Sequence, residues 1–323
     1  MYSFNLFPVN VIMSSHITAG VFGNTEIIKE LGKKSTENDM ILYNHASSEG
    51  VFTFVSVRVQ DNSYKIQSLL QVLGMIDVPI IVVSELTPLI AEQLVAIDLY
   101  NFQNGIIVLD GIEKEQLDKI IKNTALSKFQ FVEKNPVAIK ELLKKMQPER
   151  AQSPVFCPID TYFDVKSVGV VILGIMKSGK LKKFDKLKIE PLGKEITIKG
   201  IQSQDKNFDE TEEGMRVGLN LKGIEVDELK RGQVICDKIE KSDKFSLDFK
   251  KSPFFRGELK ENTQVFFAAG LQVSVATLQS VQENSKIALK TEHQIAYNTN
   301  DRFILAATTE KLPRIIGSGT ACF

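Results

Sequence analysis

The chain has 323 residues, of which 43% are hydrophobic and 25% are charged, and its 40 basic and 40 acidic side chains cancel. This composition is typical of folded globular proteins and excludes a disordered chain, while the zero net charge excludes a whole-chain field that attracts nucleic acid. The length exceeds one ordinary core and predicts two or three domains.

The first part of the chain alternates short β-branched runs with helical patterns. Strands are predicted at Val9–Met13, Val51–Val57, Val78–Val83 and Gly105–Leu109, and helices at Ile66–Ile76, Leu89–Leu99, Lys114–Asn123 and Val137–Met146. Strands that alternate with helices indicate crossover connections on a mostly parallel sheet. We therefore predict an α/β domain at residues 1–147.

A polar stretch between two prolines, residues 147–154, interrupts this pattern, as expected of a linker. Short strands with close turns follow it. They are predicted at Val168–Leu173, Lys186–Ile189, Glu195–Ile201, Met215–Leu221 and Gln233–Asp237 and, after a charged seam at Lys238–Lys244, at Thr263–Phe267, Val273–Leu278, Lys286–Lys290, Gln294–Tyr297 and Arg302–Ala306. This pattern predicts two all-β barrels, at residues 154–240 and 245–323.

The cysteine spacing and the length of the apolar runs indicate the cellular environment of the protein. Three widely spaced cysteines without a C-x-x-C pair argue against a disulfide framework and a zinc site. The longest charge-free apolar run, Val168 to Met176, is too short to cross a bilayer, and no basic segment precedes the first apolar residues. We expect a soluble cytoplasmic protein with no bound metal and no membrane or DNA partner.

Motifs in the β part resemble the second and third domains of elongation factor Tu and its relatives, including the selenocysteine-specific factor. The motifs are, in chain order, the run from Phe163 to Gly174, Lys177-Ser178-Gly179-Lys180, Gly193-Lys194-Glu195, the run from Gly214 to Leu219, Glu228-Leu229-Lys230-Arg231-Gly232, Asn300-Asp301-Arg302-Phe303 and the run from Pro313 to Thr320. The resemblance covers residues 154–323. It implies a G-domain-like α/β unit before the two barrels and a role in translation, without transferring an activity.

The first loop of the α/β domain is expected at Ser15 to Phe22, after the Val9–Met13 strand. The family carries G-H-x-D-H-G-K-T at its phosphate loop, where backbone amides cradle the phosphates, lysine neutralises them and the hydroxyl binds Mg²⁺. In this alignment His16 and Gly20 are retained, Val21 takes the lysine position and Phe22 the threonine position. The loop is thus expected not to bind a triphosphate.

The other two nucleotide motifs of the family are also incomplete. The D-x-x-G-H motif corresponds to Asp61-Asn62-Ser63-Tyr64-Lys65, and only the aspartate remains. The N-K-x-D motif corresponds to Asp110-Gly111-Ile112-Glu113, where Glu113 retains a carboxylate for the guanine edge but glycine replaces the lysine. The resemblance therefore implies no cofactor and no catalytic residues.

A second lysine-containing segment, Leu31-Gly32-Lys33-Lys34-Ser35-Thr36, imitates the end of a phosphate loop. A phosphate loop needs a glycine five residues earlier, and this chain has Ile27 there. The segment also follows a helical pattern instead of joining a strand to a helix. We interpret it as a helix C-terminal glycine with basic flanks.

Candidate RNA-binding residues lie in the first barrel. Lys177, Lys180, Lys182 and Lys183 belong to six lysines within twelve residues, which either follow an RNA backbone or form the solvated face of a β-ribbon. Glu228 and Arg231 align with the segment that borders the aminoacylated tRNA end in elongation factor Tu. Alternatively, Arg231-Gly232 is only a turn before the next strand.

These observations favour a translation-factor-like protein that binds tRNA or a ribosomal component without GTP hydrolysis. Two alternatives stay open. The chain could be a divergent GTPase that binds GTP and Mg²⁺ with different residues, or a protein-interaction module that docks another translation factor. The three Asp and Glu residues of the incomplete motifs, Asp61, Asp110 and Glu113, keep the first alternative open.

Overall fold

The first unit is a seven-stranded sheet flanked by helices. The structure, a computed structural model, describes residues 15–48, 50–146, 148, 150, 152, 154–282, 285–309 and 311–322. The elements of this unit are β1 (Ser15–Gly23), α1 (Ile28–Leu31), β2 (Lys33–Glu37), β3 (Met40–Ser47), β4 (Gly50–Val57), α2 (Ile66–Met75), β5 (Val78–Val83), α3 (Pro88–Tyr100), β6 (Ile106–Leu109), α4 (Lys114–Ile121), β7 (Gln130–Glu133) and α5 (Pro136–Lys145). The strand order is β2-β3-β4-β1-β5-β6-β7.

The central strands of this sheet run parallel, as the alternating pattern predicts. β1 lies between β4 and β5 and pairs in parallel with both, and β6 and β7 extend the parallel set. At the other edge β2 and β3 form an antiparallel hairpin on β4, which the sequence analysis did not predict. The four predicted helices and three of the predicted strands are confirmed within one or two residues, and the Val9–Met13 strand lies outside the described residues.

Seven strands form the first β unit. They are β8 (Phe156–Val165), β9 (Gly169–Ile175), β10 (Lys186–Glu190), β11 (Lys194–Ser203), β12 (Lys206–Phe208), β13 (Arg216–Lys222) and β14 (Val234–Cys236). Antiparallel pairing follows the order β10-β14-β8-β9-β13-β11-β12, and a further β10–β11 pairing closes the barrel. The short β12 is a hairpin extension of β11 at the barrel rim.

The second β unit is a closed barrel of six strands. They are β15 (Glu240–Lys251), β16 (Gln264–Ala269), β17 (Gln272–Gln282), β18 (Lys286–Tyr297), β19 (Arg302–Ala307) and β20 (Ile315–Ala321). β15 begins inside the segment that the sequence analysis predicts as a charged seam. The seam prediction misses the start of the strand because its first residues are polar, and the inward alternation of Phe245, Leu247 and Phe249 starts later. The two-barrel architecture predicted from the sequence is confirmed.

The α/β unit and the second barrel share one hydrophobic core. Leu271, Ile304 and Ile315 of the barrel belong to the same buried cluster as the side chains of α2 and α3. The backbones also touch, because a Cβ atom placed on Gly74 of α2 would lie 2.3 Å from the carbonyl carbon of Gly270. A side chain at this position would clash, so glycine permits the close approach of α2 to the turn between β16 and β17.

A buried ion pair crosses the same interface. Arg314 at the start of β20 is 2% exposed and Glu92 on α3 is fully buried. The Arg314 Nη2 donates to Glu92 Oε2 at 2.7 Å, its backbone N–H donates to Glu92 Oε1, and the Tyr64 hydroxyl donates to Glu92 Oε2 at 2.8 Å. Every charge in the cluster is paired and hydrogen-bonded, as a buried charge requires.

A second polar cluster joins the α/β unit to the first barrel. Asp77, which follows α2, accepts from Lys177 Nζ at 3.2 Å and from Arg150 Nη2 at 2.5 Å. Lys177 Nζ also donates to the last carbonyls of α2, at Met75 and Ile76. The lysine thus caps a helix C-terminus from another unit and is positioned favourably for the helix dipole.

Candidate functional site

The sequence assignment of the first loop is wrong in its register. Residues Ser15–Gly23 form β1, the central strand of the sheet, so Gly20, Val21 and Phe22 are strand residues instead of loop residues. Val21 and Phe22 are fully buried in the cores on the two faces of the sheet. The turn that follows β1, where a phosphate loop would lie, therefore comes directly after Gly23.

Three backbone amides at this turn are already hydrogen-bonded, those of Gly23, Asn24 and Glu26. The Gly23 N–H donates to Gln93 Oε1 at 2.8 Å, and the Asn24 N–H donates to the Val82 carbonyl at 2.9 Å. The Glu26 N–H donates to the Asn24 side chain at 3.3 Å. A phosphate cradle needs such amides free and pointing at the ligand. In this loop they stabilise a tight turn into a short 3₁₀ helix, Thr25–Ile27, and α1.

A lysine is nevertheless present in the corrected register. When the family motif G-H-x-D-H-G-K-T is aligned from Gly23, its lysine falls at Lys29, its hydroxyl at Glu30 and its second glycine at Ile28. Lys29 is exposed and pairs with Glu26 one turn earlier, and this hydrogen bond raises the pKa of the lysine. The expectation that Val21 replaces the lysine is thus corrected, whereas the loop still has no hydroxyl for Mg²⁺ and no second glycine.

The other two predicted nucleotide positions lie after β4 and β6. Asp110 follows β6 and accepts from Asn24 Nδ2 at 3.1 Å and from Lys134 Nζ at 3.0 Å, so it lies beside the β1 loop as a parallel sheet predicts. Glu113 is the N-terminal flanking residue of α4. Asp61 is exposed in a left-handed turn (φ 49°) that begins three residues after the end of β4. Among the described residues, no group of three His, Cys, Asp or Glu side chains could hold a metal ion.

A cleft of about 830 Å³ lies between the α/β unit and the first barrel. Its α/β wall is formed by α1, the β2–β3 hairpin and α5, and its barrel wall by β9, β11 and β13. Four basic side chains line it, together with the carboxylates of Glu30 and Asp205 and a mixture of amide, hydroxyl and apolar groups. The basic residues are Lys33, Lys34, Lys140 and Arg216. The segment interpreted from sequence as a helix end with basic flanks therefore contributes two lysines to this cleft.

Arg216 is the least exposed of the four basic residues in the cleft. It is 8% exposed and pairs with Asp160 at 3.2 Å inside the barrel. Its Nη1 atom is buried and has no hydrogen-bond partner in the part of the chain that the structure describes. On the opposite wall, burial and then the charges of Lys140 and Lys144 lower the pKa of His45. The four basic side chains outnumber the two carboxylates in the lining, and this excess of positive charge suits an anionic ligand.

Arg231, a predicted RNA-binding residue, joins the first barrel to the α/β unit. Its guanidinium makes two hydrogen bonds to the Asp39 carboxylate, at 2.8 and 3.0 Å, and one to Gln71 Oε1. Burial alone would raise the pKa of Asp39, but hydrogen bonds from Arg231 and Ser68 outweigh it and lower the pKa. The guanidinium that the resemblance assigns to tRNA is occupied by a structural contact.

Glu228 lies nearby and is also used locally. It pairs with Lys194, and its side chain accepts from the Glu225 N–H in a capping box. Glu228 and Arg231 both line a second cleft, of about 550 Å³, between the two barrels. The structure brings these two predicted residues together, and their role in RNA binding stays a prediction.

The four predicted lysines separate into two groups. Lys177 is buried in the Asp77 cluster, and burial lowers its pKa although Asp77 opposes this effect. Lys180, Lys182 and Lys183 are exposed on the loop between β9 and β10. Exposure fits both the RNA-backbone and the solvated-ribbon alternatives for these three residues, whereas Lys177 is engaged by Asp77.

Acidification is expected to weaken the fold through His16. This β1 side chain is 7% exposed and faces Glu212 and Arg150; burial, the largest effect, lowers its pKa below the ordinary 6.5. Because the unfolded chain binds the proton more tightly, stability is full above pH 6.5 and falls as the pH drops towards the lowered pKa. Urea unfolding of wild type and His16→Gln between neutral pH and pH 5 checks this. The wild-type protein should lose more unfolding free energy over this pH range than His16→Gln, which keeps His45 as a histidine with a lowered pKa. Equal losses of unfolding free energy in the two proteins would contradict the prediction.

Comparison with known proteins identifies relatives along the whole chain. Residues 169–236 match the family Elongation factor Tu domain 2. The uncharacterized protein MJ0325 of Methanocaldococcus jannaschii is 33% identical over 308 residues, which cover 94% of this chain and 98% of that protein. The selenocysteine-specific elongation factor of the same organism is 32% identical over 144 residues, 43% of this chain and 31% of that one. Elongation factor 1-alpha of Sulfolobus acidocaldarius is 33% identical over 102 residues, 31% of this chain and 23% of the factor.

Solved structures share the three-unit fold. The selenocysteine-specific factor SelB of Methanococcus maripaludis, in complex with the GTP analogue GppNHp, superimposes with a TM-score of 0.79 at 20% identity, over 95% of this chain and 79% of that one. A bacterial selenocysteine-specific factor gives a TM-score of 0.80 at 18% identity, over 95% of this chain and 58% of that one. The full-length relative, the domain match and the shared fold lead to one conclusion: the chain belongs to one family with MJ0325, carries an Elongation factor Tu domain 2, and has the three-unit fold of the selenocysteine-specific elongation factors.

Proposed function

We propose that this protein binds an RNA of the translation apparatus, tRNA or a ribosomal RNA, and that it does so without binding or hydrolysing GTP. The observation that carries the proposal is the contrast between two sites. Three amides at the turn after β1 donate to Gln93, Val82 and Asn24, whereas the cleft between the α/β unit and the first barrel is open and polar, with four basic side chains against two carboxylates.

The chemistry of the cleft supports RNA as the ligand. Lysines at its mouth suit phosphates, which make binding electrostatic and salt-dependent. Amide side chains on the barrel wall, such as Gln202 and Gln204, suit the base edges and 2′-hydroxyls of a single strand. A volume of about 830 Å³ is in the range of sites that enclose a small-molecule-sized group, so the cleft suits the end of a strand.

Charge reversal at the cleft should weaken RNA binding. We expect Lys33→Glu combined with Lys34→Glu to lower the affinity for tRNA by about tenfold or more, since two phosphate contacts become repulsive. Fluorescence anisotropy with labelled tRNA at about 50 mM salt measures the effect. The matched control, Lys260→Glu with Lys290→Glu, makes the same charge change at exposed lysines outside the cleft. Equal losses in both double variants would place the RNA elsewhere.

Cross-linking in cells, followed by sequencing of the bound RNA, tests the proposal and names the ligand. Enrichment of one tRNA set or one ribosomal RNA segment supports it. Recovery of no RNA above the background of an unrelated protein would contradict it. The Lys33→Glu/Lys34→Glu variant serves as an internal control, because specific cross-links should diminish in it.

Two rival functions each have one observation in their favour. A divergent GTPase is favoured by Lys29, which occupies the lysine position of the family motif in the corrected register. A protein-docking module is favoured by an apolar groove of about 430 Å³ between the α/β unit and the second barrel, where Leu86, Ile120 and Phe254 are about half exposed. Micromolar binding of GTP with Mg²⁺ would support the first rival. Stoichiometric co-purification of a protein, with no RNA binding at low salt, would support the second.

A further inference from the structure

A phenylalanine stands on the surface of the first barrel where neither packing nor turn geometry calls for it. Phe184 is 70% exposed, the largest exposure among the large hydrophobic side chains of the described residues. It lies in the loop between β9 and β10, beside Lys180, Lys182 and Lys183, all of which are exposed. Phe184 therefore adds little to stability through burial of apolar surface.

The backbone at Phe184 disfavours a bulky side chain. Residues 182–185 form a β-turn in which the Asp185 N–H donates to the Lys182 carbonyl at 3.1 Å. Phe184 is the third residue of this turn and has φ 76°, the left-handed value that favours glycine in a type II turn. A phenylalanine at such a position is strained, and persistent strain of this kind is found at functional sites.

The turn is held rigidly in place. The Phe184 N–H donates to the Ile198 carbonyl of β11 at 2.7 Å, and the Lys183 N–H donates to the Asp209 carbonyl at 2.9 Å. The Asp185 side chain accepts from the Lys182 N–H at 2.7 Å. The exposed ring is therefore presented on a fixed support, so little conformational entropy is lost when a ligand stacks on it.

The surroundings select the kind of ligand. The Lys183 Nζ lies 5.4 Å from the centre of the Phe184 ring, and Lys180 and Lys182 are exposed on the same loop, with Lys182 paired to Glu210 at 3.8 Å. An aromatic platform with adjacent cations is the arrangement that binds unpaired bases and their phosphates. Four residues of extended chain, about 13 Å, separate Asp209 at this turn from Asp205 in the basic cleft. One strand of RNA can therefore reach both.

We propose that Phe184 stacks on an unpaired RNA base and that Lys180, Lys182 and Lys183 contact the adjacent phosphates. The site rests on the RNA-binding function proposed above and names a specific contact that this function does not require. Its partner is single-stranded RNA, since the bases of a duplex are stacked on each other and do not expose a face to the ring.

The test uses the full chain and a fluorescently labelled single-stranded RNA of about twelve nucleotides, compared with a duplex of the same sequence. We expect Phe184→Gly to raise the Kd for the single strand about tenfold, while its urea-unfolding midpoint stays equal or rises because glycine relieves the left-handed strain. Phe184→Trp should keep the affinity, and Phe184→Leu should lose most of it. Phe254→Gly, at a half-exposed phenylalanine of the second barrel, is the matched control and should bind like wild type.

Ultraviolet cross-linking with mass spectrometry gives a second readout, and the cross-linked base is expected on the peptide that contains Phe184. If wild type binds the single strand and Phe184→Gly binds equally well, the stacking site is overturned while the RNA-binding function stands. If wild type binds no RNA at about 50 mM salt, both fall. A cross-link confined to other peptides would also overturn the stacking site.

Discussion

We expect Arg314→Ala to lower the free energy of unfolding by about 3–5 kcal/mol, as measured by urea denaturation. The truncation leaves the Glu92 carboxylate fully buried without its cation, although the Tyr64 hydroxyl still donates to it. Removing one member of a buried pair costs far more than the pair contributes, because the remaining charge is uncompensated. The loss should fall on the interface between the α/β unit and the second barrel, where Arg314 and Glu92 meet.

Two controls separate this effect from ordinary surface electrostatics. Glu258→Ala removes an exposed ion pair with Lys260 and should change stability by less than about 1 kcal/mol. Arg314→Met combined with Glu92→Leu removes both charges and should be less destabilising than Arg314→Ala alone. If Arg314→Ala is as mild as Glu258→Ala, the interface does not depend on this pair.

The second large effect is expected at Asp77. Asp77→Ala removes the only carboxylate that the described structure pairs with Lys177 and Arg150, both of which are at least four-fifths buried. It also leaves the Thr18 N–H without its side-chain acceptor. We expect a loss of about 3–5 kcal/mol in the free energy of unfolding.

The Asp77 variant can be rescued if the explanation is correct. Adding Lys177→Met to Asp77→Ala removes one of the two stranded cations and should recover part of the stability. Because burial already lowers the pKa of Lys177, the Asp77→Ala loss should also shrink at alkaline pH, where the lysine can deprotonate. A loss that neither the second substitution nor pH alters would show that Asp77 acts through packing alone.

The β architecture was largely predictable from the sequence, whereas the first strand was not. The barrel strands alternate inward apolar and outward polar residues, as in Phe245, Leu247 and Phe249. β1 is buried on both faces and includes Thr18, Ala19 and Gly20, so it has neither alternation nor a continuous apolar run. The Val9–Met13 run has a stronger strand pattern than β1 does. Taking it as the first strand shifts the alignment of the phosphate-loop motif to Ser15–Phe22.

The candidate site could be predicted only in part, because it is assembled from distant segments. Arg231 and Asp39 are 192 positions apart in the sequence, so no local sequence pattern predicts that they form a pair. The polar β2–β3 hairpin was missed because the residues of β2 are mostly exposed and give no apolar period. Asp110 was placed correctly, since the residue after a buried parallel strand must lie at the carboxyl edge of the sheet.

The affinity for tRNA, measured on nucleotide-free protein and again with saturating GTP and Mg²⁺, tests the central claim most directly. Three amides at the turn after β1 are bonded internally, and Glu30 stands where the magnesium-binding hydroxyl would be, so GTP should have no effect. We predict salt-sensitive binding with the same Kd in both conditions. A Kd that changes tenfold with GTP, or no binding in either condition, would contradict the account.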